Sequence, residues 1–327
     1  MTVNIAEVLG LPGLEDDLAR LEDTLCRVVA TEDPFLSEVA THLIAAGGKR
    51  LRPSLTVAAA AAGEAVASED VLLGGVAVEL VHQASLYHDD VMDEATTRRG
   101  VQSVNDRWGN LVAVVAGDFL LARAAGIAAS LGTEVAGLLA ATLARLCEGQ
   151  IGEVHTAFDV DRSEQAYLAT IRDKTASLMA AACRIGGLTA NLDRRQVDAL
   201  TTFGECFGMV FQIRDDILDV VATEEELGKG VGQDLDRGIY TLPVLRTLGD
   251  GGIGPELRSL LGRPLDRSQR DKARDMVTTA GGIASAVGAG RRYADEAAAA
   301  ASTFSSSPTG SALGRLGHIL VDDIPTG

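Results

Sequence analysis

Apolar residues recur at three- and four-residue spacing through 76–91, 111–125, 135–146, 178–188 and 197–221 of this 327-residue chain. That period puts the apolar positions on helix faces, whereas a half-buried strand would alternate every second residue. Alanine is abundant, and β-branched residues rarely alternate strictly, so local propensity points the same way. No Asn-Gly or Asp-Gly pair joins two alternating runs, and Asp250-Gly251 lies in a glycine-rich loop. No repeat of 20–50 residues is present. Several of the helical stretches are apolar on more than one face, which predicts central helices ringed by others. The expected fold class is all-α.

Breakers at 47–48, 63, 99–100, 159–163, 192–193, 228–238 and 249–254 cut the chain into roughly a dozen segments. None is a long linker between balanced halves, so a single domain over 1–327 is expected. Residues 302–311 read as a flexible segment before a short C-terminal helix at 312–321. Apolar runs such as 111–116 fall far short of a membrane span. Residues 1–17 carry early acids and no basic leader. The four cysteines, Cys26, Cys147, Cys183 and Cys206, have no CxxC spacing, which predicts free thiols in a reducing, cytoplasmic setting. A net charge of −17 argues against a nucleic-acid partner.

Two DDxxD runs carry the chemistry: Asp89, Asp90 and Asp93, then Asp215, Asp216 and Asp219. On a helix, residues four apart lie about 40° from one another, so Asp89 aligns with Asp93 and Asp215 with Asp219. Like charges at that spacing repel and weaken a helix. A solvated acidic face is the bland alternative, but both runs sit in apolar surroundings, where only a compensating cation makes sense of them. Carboxylates are hard ligands suited to Mg²⁺, which bridges a few of them to substrate phosphates. A nuclease or polymerase could use paired aspartates too, yet neither a mixed sheet nor a basic surface is visible.

The basic residues cluster in step. Lys49, Arg50 and Arg52 stand between Gly47-Gly48 and Pro53, and Arg98-Arg99 follow the first acidic run. Lys174-Thr175 and Lys229 come later. Arginine forks and lysine charges suit phosphate oxygens, and glycine lets backbone approach a ligand. His82 lies seven residues before Asp89, two turns away on the same side.

These residues fall into an ordered set of motifs: GGKRLRP at 47–53, ELVHQASLYHDDVMD at 79–93, RRG at 98–100, GDFLLARA at 117–124, KTASL at 174–178, FQIRDDILD at 211–219 and GKGVGQDLDRGIYTLPVL at 228–245. In that order the chain resembles the trans-isoprenyl diphosphate synthases, or polyprenyl synthetases, of the medium- and long-chain bacterial type. The resemblance implies antiparallel helices around a deep central cavity, a homodimer, and condensation of isopentenyl diphosphate with an allylic diphosphate such as farnesyl or geranylgeranyl diphosphate. It implies metal ligation by Asp89, Asp93, Asp215 and Asp219, with some three Mg²⁺ per diphosphate-loaded site, and it makes Asp90 and Asp216, acting directly or through water, and Lys174 catalytic as well. Lys49, Arg52, His82 and Arg99 would hold isopentenyl diphosphate. Arg98, Lys174, Thr175, Gln212 and Lys229 would face the allylic diphosphate. Where the family often has lysine, this chain has Ile239, and its C-terminal Asp322-Asp323 replace basic residues that close the site in some members.

The resemblance also bears on product length. The tail would grow beside the helix of Asp89, past Ser85 and Ala84 one turn deeper and Val81 beyond them. Small residues there predict six or more isoprene units, with a farnesyl- or geranylgeranyl-length product as the alternative. A terpene cyclase is disfavoured by the second DDxxD run and by 4% aromatic content. A non-catalytic synthase subunit is disfavoured because all six aspartates are present. A long product would be amphiphilic, so contact with a membrane at release would be transient at most.

Overall fold

Close helix approach, enforced by glycine, builds the centre. A Cβ on Gly186 would stand 2.2 Å from the carbonyl of Thr56, and one on Gly208 would stand 2.5 Å from the Cα of Ala176. Four helices therefore pack nearly backbone to backbone: Leu51–Ala62, Glu69–Met92, Ser177–Thr189 and Arg194–Val221. Nearly every residue of Leu51–Ala62 is buried, as expected of a helix apolar all round. The computed structural model describes residues 5–222 and 231–325.

Sequence fixes the starts of these helices. Ser68 caps Glu69–Met92 by accepting from the Val71 amide, and Asp193 with Gln196 forms a capping box on Arg194–Val221. Helices Asn110–Ser130, Thr133–His155, Gly282–Ala301 and Pro308–Asp322 surround the centre. Among the described residues the molecule is all-α except for one two-stranded antiparallel pair, Thr97–Arg98 with Val101–Gln102. Its turn residues, Arg99 and Gly100, both have positive φ, 53° and 77°, as tight two-residue hairpins require. The search for Asn-Gly and Asp-Gly turns missed it because arginine takes the left-handed position.

Two further expectations need correction. The 302–311 segment is ordered, not loose: Phe304 is buried, the Ser307 hydroxyl donates to the Ala62 carbonyl at 3.0 Å, and the last helix begins at Pro308. A Cβ on Gly310 would stand 2.1 Å from the Phe304 carbonyl, so glycine is what lets this turn close. Helix Asn110–Ser130 is long and apolar enough to cross a membrane by length and composition, although the core helix of a soluble protein meets the same criterion. Its Leu111, Val114 and Val115 are exposed, beside exposed Ile151 and Val154 of the next helix.

Candidate active site

Both acidic runs sit at helix C-termini. Asp89 and Asp90 occupy the last turn of Glu69–Met92 and Asp93 is its cap, while Asp215, Asp216 and Asp219 fill the last two turns of Arg194–Val221. The helix dipole is negative at that end, so carboxylates there are unfavourable unless something positive offsets them.

On the first helix the three acids do different things. Burial lifts the Asp89 carboxyl to about 6, opposed by the Lys174 charge and reinforced by Asp93. Asp90 turns inward and is fully buried. Arg98 binds one of its oxygens through Nη2 and through Nε at 2.8 Å, and the other oxygen is buried without a partner. Asp93 accepts from Arg237 Nη1 at 2.8 Å, across 144 residues of sequence.

The second helix borders a cavity of about 130 Å³, lined among others by Glu153, Lys174, Thr175, Asp215, Asp234 and Arg237. Asp216 is buried and accepts from the Tyr167 hydroxyl and from Gln212 Nε2 at 2.7 Å, and Gln212 in turn accepts from Thr175 at 2.7 Å. Burial pushes Asp216 up to about 7 against those hydrogen bonds. Asp219 receives the backbone amides of Gln233 and Asp234 at 3.3 and 3.2 Å, which ties the following segment to the helix. Burial and the neighbouring aspartates raise Asp234 well above the usual carboxylate range. Asp215 alone of the three is exposed.

Lys174 and Thr175 lie on a π-helical turn, Arg172–Ala176, between two α-helices. Such turns carry one extra residue and re-aim side chains. Gly149 allows the turn to pack tightly, since a Cβ there would meet the Lys174 amide nitrogen at 2.6 Å. Lys174 Nζ donates to Glu153 while its charge reaches Asp89. Lys174 and Arg237 thus connect the cavity to the first acidic helix.

A separate basic pocket forms beside helix Leu51–Ala62. Arg50 plays a structural part: it pairs with Glu22 at 2.6 and 2.7 Å and with buried Glu79 at 2.9 Å. Arg99 Nη1 is held by the Leu43 carbonyl at 2.8 Å, the Gly47 carbonyl and Gln83 Oε1 at 3.3 Å. Gly48 has φ 151°, and a Cβ on it would lie 3.0 Å from the Arg99 guanidinium carbon. Arg52 lowers to about 10 through burial, and its Nε is buried with no hydrogen-bond partner. Burial and the charges of Arg52 and Arg99 hold His82 well below its usual range, so it is neutral at pH 7. Lys49 is lowered by burial too, with Asp215 opposing. Arg52 as a whole is half-buried, so the unpaired atom is its inner nitrogen.

The structure brings together Arg52, His82 and Arg99 as one basic group, sets Lys49 instead within reach of Asp215 and Arg214, and gathers Lys174, Thr175, Gln212, Asp215, Asp216 and Asp219 around one cavity. It places Arg98 on Asp90, not in that cavity. Arg98 faces a carboxylate that would otherwise be buried alone. Ala84 and Val81 are buried, and Ser85 is half-buried with its hydroxyl on the His82 carbonyl at 2.9 Å. Lys229 lies outside the described residues. Glu153, Arg162, Tyr167, Asp234 and Arg237 were missed as site residues. Asp234 and Arg237 stood within the quoted 228–245 motif, while Glu153 and Tyr167 had no spacing signal, being brought in by packing alone. Among the described residues, no three His, Cys, Asp or Glu side chains group closely enough to hold a metal ion alone.

Comparison with known proteins gives the same picture. The model of the polyprenyl synthetase family matches residues 33–278. Nonaprenyl diphosphate synthase of Mycobacterium tuberculosis is 41% identical over 266 residues, 81% of this chain and 79% of that one. Polyprenyl synthase from Caulobacter crescentus, solved with calcium and isoprenyl diphosphate, superposes with a TM-score of 0.89 at 32% identity over 98% of both chains. Geranylgeranyl pyrophosphate synthase from Corynebacterium glutamicum, also solved with calcium and isoprenyl diphosphate, gives 0.85 at 37% identity, over 95% of this chain and 96% of that one.

Proposed function

Since this chain belongs to the polyprenyl synthetase family and is a trans-prenyltransferase of the isoprenoid synthase fold, we propose that it condenses isopentenyl diphosphate with farnesyl or geranylgeranyl diphosphate. The product is an all-trans polyprenyl diphosphate of six or more units. The observation that carries this reading is the pairing of two C-terminal acidic runs with a separate, incompletely neutralised basic pocket. One part suits a metal-held diphosphate and the other a diphosphate held by arginine, as a two-substrate condensation needs.

The residues fit a divalent metal. The cavity has a surplus of carboxylate: Asp216 and Asp234 are raised by burial and then by neighbouring acids, Asp215 and Glu153 among them, and Asp89 on the facing helix is raised by burial with Asp93 and Glu153 adding to it. Asp89, Asp93 and Asp215 are the ligands of choice, with Asp219 sharing its oxygens with two backbone amides. Mg²⁺ bound there supplies Lewis-acid neutralisation of the charge that builds on a departing diphosphate.

The chain's own residues do the rest. Lys174 sets its charge between Glu153 and Asp89, where a leaving diphosphate would gather negative charge. Thr175, Gln212, Asp216 and Tyr167 form a hydrogen-bonded line that fixes the wall beneath it. Arg52, Arg99 and Lys49 orient isopentenyl diphosphate, with neutral His82 able to donate without adding charge. The allylic C–O bond ionises to diphosphate and an allylic cation, the double bond of isopentenyl diphosphate attacks that cation, and the proton lost from the condensed chain passes to the departing diphosphate. No side chain is assigned as base.

A homodimer and a cytoplasmic setting complete the proposal. The exposed apolar face of Leu111, Val114, Val115, Ile151 and Val154 is the surface a second copy would cover. The test is incubation with labelled isopentenyl diphosphate, farnesyl diphosphate and Mg²⁺, followed by mass spectrometry. Linear products of six or more units support the reading, whereas a farnesyl- or geranylgeranyl-length product, a cyclic hydrocarbon or no turnover contradicts it.

A further inference from the structure

Arg237 bridges the two acidic walls. Its backbone is fixed by its neighbours: Gly232 and the amides of Gln233 and Asp234 bind Asp219, and the Gly238 carbonyl accepts from the Phe158 amide at 2.8 Å. Its side chain is half-exposed and reaches Asp93 at 2.8 Å. It also lines the cavity that holds Asp215, Asp216, Asp219 and Asp234. Ile239, two residues on, offers that cavity no charge. Lys174 is committed to Glu153, and Arg162 to Thr170 at 2.8 Å.

A guanidinium on Asp93 does what a divalent ion would do there, neutralising a carboxylate at the negative end of a helix. A divalent ion arriving at that carboxylate meets the like charge of the guanidinium on its Oδ2 and weakens the guanidinium's hold. We propose that Arg237 is a diphosphate-binding residue that occupies Asp93 in the free enzyme and passes to the diphosphate when metal arrives. This deepens the reading of the cavity as a metal–diphosphate site and rests on it. The fixed backbone keeps the fork within reach of the cavity, and the exposed side chain has room to swing. A metal thus competes with Arg237, whereas a metal–diphosphate pair recruits it. The arrangement favours joint loading over metal alone.

Calorimetric titration separates these effects without reference to turnover. Mn²⁺ alone, and inorganic pyrophosphate at fixed Mn²⁺, are titrated into wild type, Arg237→Gln and Arg237→Lys. Arg237→Gln is expected to bind Mn²⁺ alone about threefold more tightly, because an exposed ion pair has gone. It is expected to bind pyrophosphate with Mn²⁺ about tenfold more weakly, for want of a charge-assisted contact. Arg237→Lys should keep most of the pyrophosphate affinity. Wild-type pyrophosphate affinity in Arg237→Gln, or unchanged or weakened Mn²⁺ binding, overturns the proposal while leaving the site intact. Failure of wild type itself to bind pyrophosphate with Mn²⁺ overturns the underlying site reading instead.

Discussion

Arg98 and Asp90, eight residues apart, are joined by two hydrogen bonds from the guanidinium to one carboxylate oxygen, and Asp90 is fully buried. The middle acid of the first run is therefore a foundation for the other two. Its partner anchors the Thr97–Gln102 hairpin, whose turn carries Arg99 into the basic pocket. Removing one member of such a pair strands the other.

Asp90→Asn is accordingly expected to lower the melting temperature and to raise the KM for isopentenyl diphosphate through the displaced Arg99. Asp90→Asn with Arg98→Met should recover much of the lost stability. Thermal unfolding and substrate-dependence curves check both. An Asp90→Asn protein with native stability and altered metal affinity alone would assign Asp90 to the metal instead.

Arg52 offers the opposite trade. Its buried Nε lacks a partner, and burial has lowered its pKa to about 10. Arg52→Met removes an unfavourable buried charge at similar length, so the unliganded protein should gain on the order of 1 kcal/mol. The KM for isopentenyl diphosphate should rise at least about tenfold, with that for the allylic substrate little changed. Differential scanning calorimetry and steady-state kinetics measure the two halves.

The raised carboxyls give a pH signature. Asp89 at about 6 and Asp216 at about 7 both bind protons more tightly in the folded protein than in the unfolded chain. Their ionisation opposes folding, a penalty fully present above about pH 7 and relieved as pH falls toward 4. His82 acts in the other sense, because its lowered pKa favours unfolding as pH drops below 6.5. Metal binding isolates the carboxyl effect. Mg²⁺ titration in buffers of different ionisation enthalpy should show proton release at pH 6.5 and almost none at pH 8.5. Equal release at both would remove Asp89 and Asp216 from the metal's surroundings.

Ser85 and Ala84 test product length. Phenylalanine at either position fills the path one turn, about 5–6 Å, below Asp89. Ser85→Phe, whose residue is half-buried with its hydroxyl only back-bonded to His82, should fold more readily than Ala84→Phe in the packed core. Its longest product, read by mass spectrometry, should be shorter by at least one isoprene unit. An unchanged product distribution would move the floor to another helix.

What sequence could reveal here followed from how local each signal is. The acid pairs at four-residue spacing and the helical periods are local and legible in the sequence, whereas the caps at Ser68 and Asp193, though local, emerge only with the structure. The π turn beneath Lys174 and Thr175 has no composition signal, because it comes from Gly149 packing against the Lys174 backbone. The turn at Arg99 broke the usual turn code. The segment around Phe304 looked loose because serines and glycine dominate it, yet one buried ring and one glycine contact order it. Tyr167 and Glu153 join the site from other helices, which is tertiary information.

Turnover after neutralising both walls is the most direct test of the account. In Asp89→Asn and Asp215→Asn, measured with isopentenyl diphosphate, farnesyl diphosphate and saturating Mg²⁺, kcat should fall by roughly 10³-fold or more in each. Thermal unfolding should be no worse than in wild type, since a raised buried acid has been made neutral at Asp89 and an exposed one at Asp215. Wild-type turnover in either folded variant would contradict the claim that the two acidic helix ends together hold the reacting diphosphate.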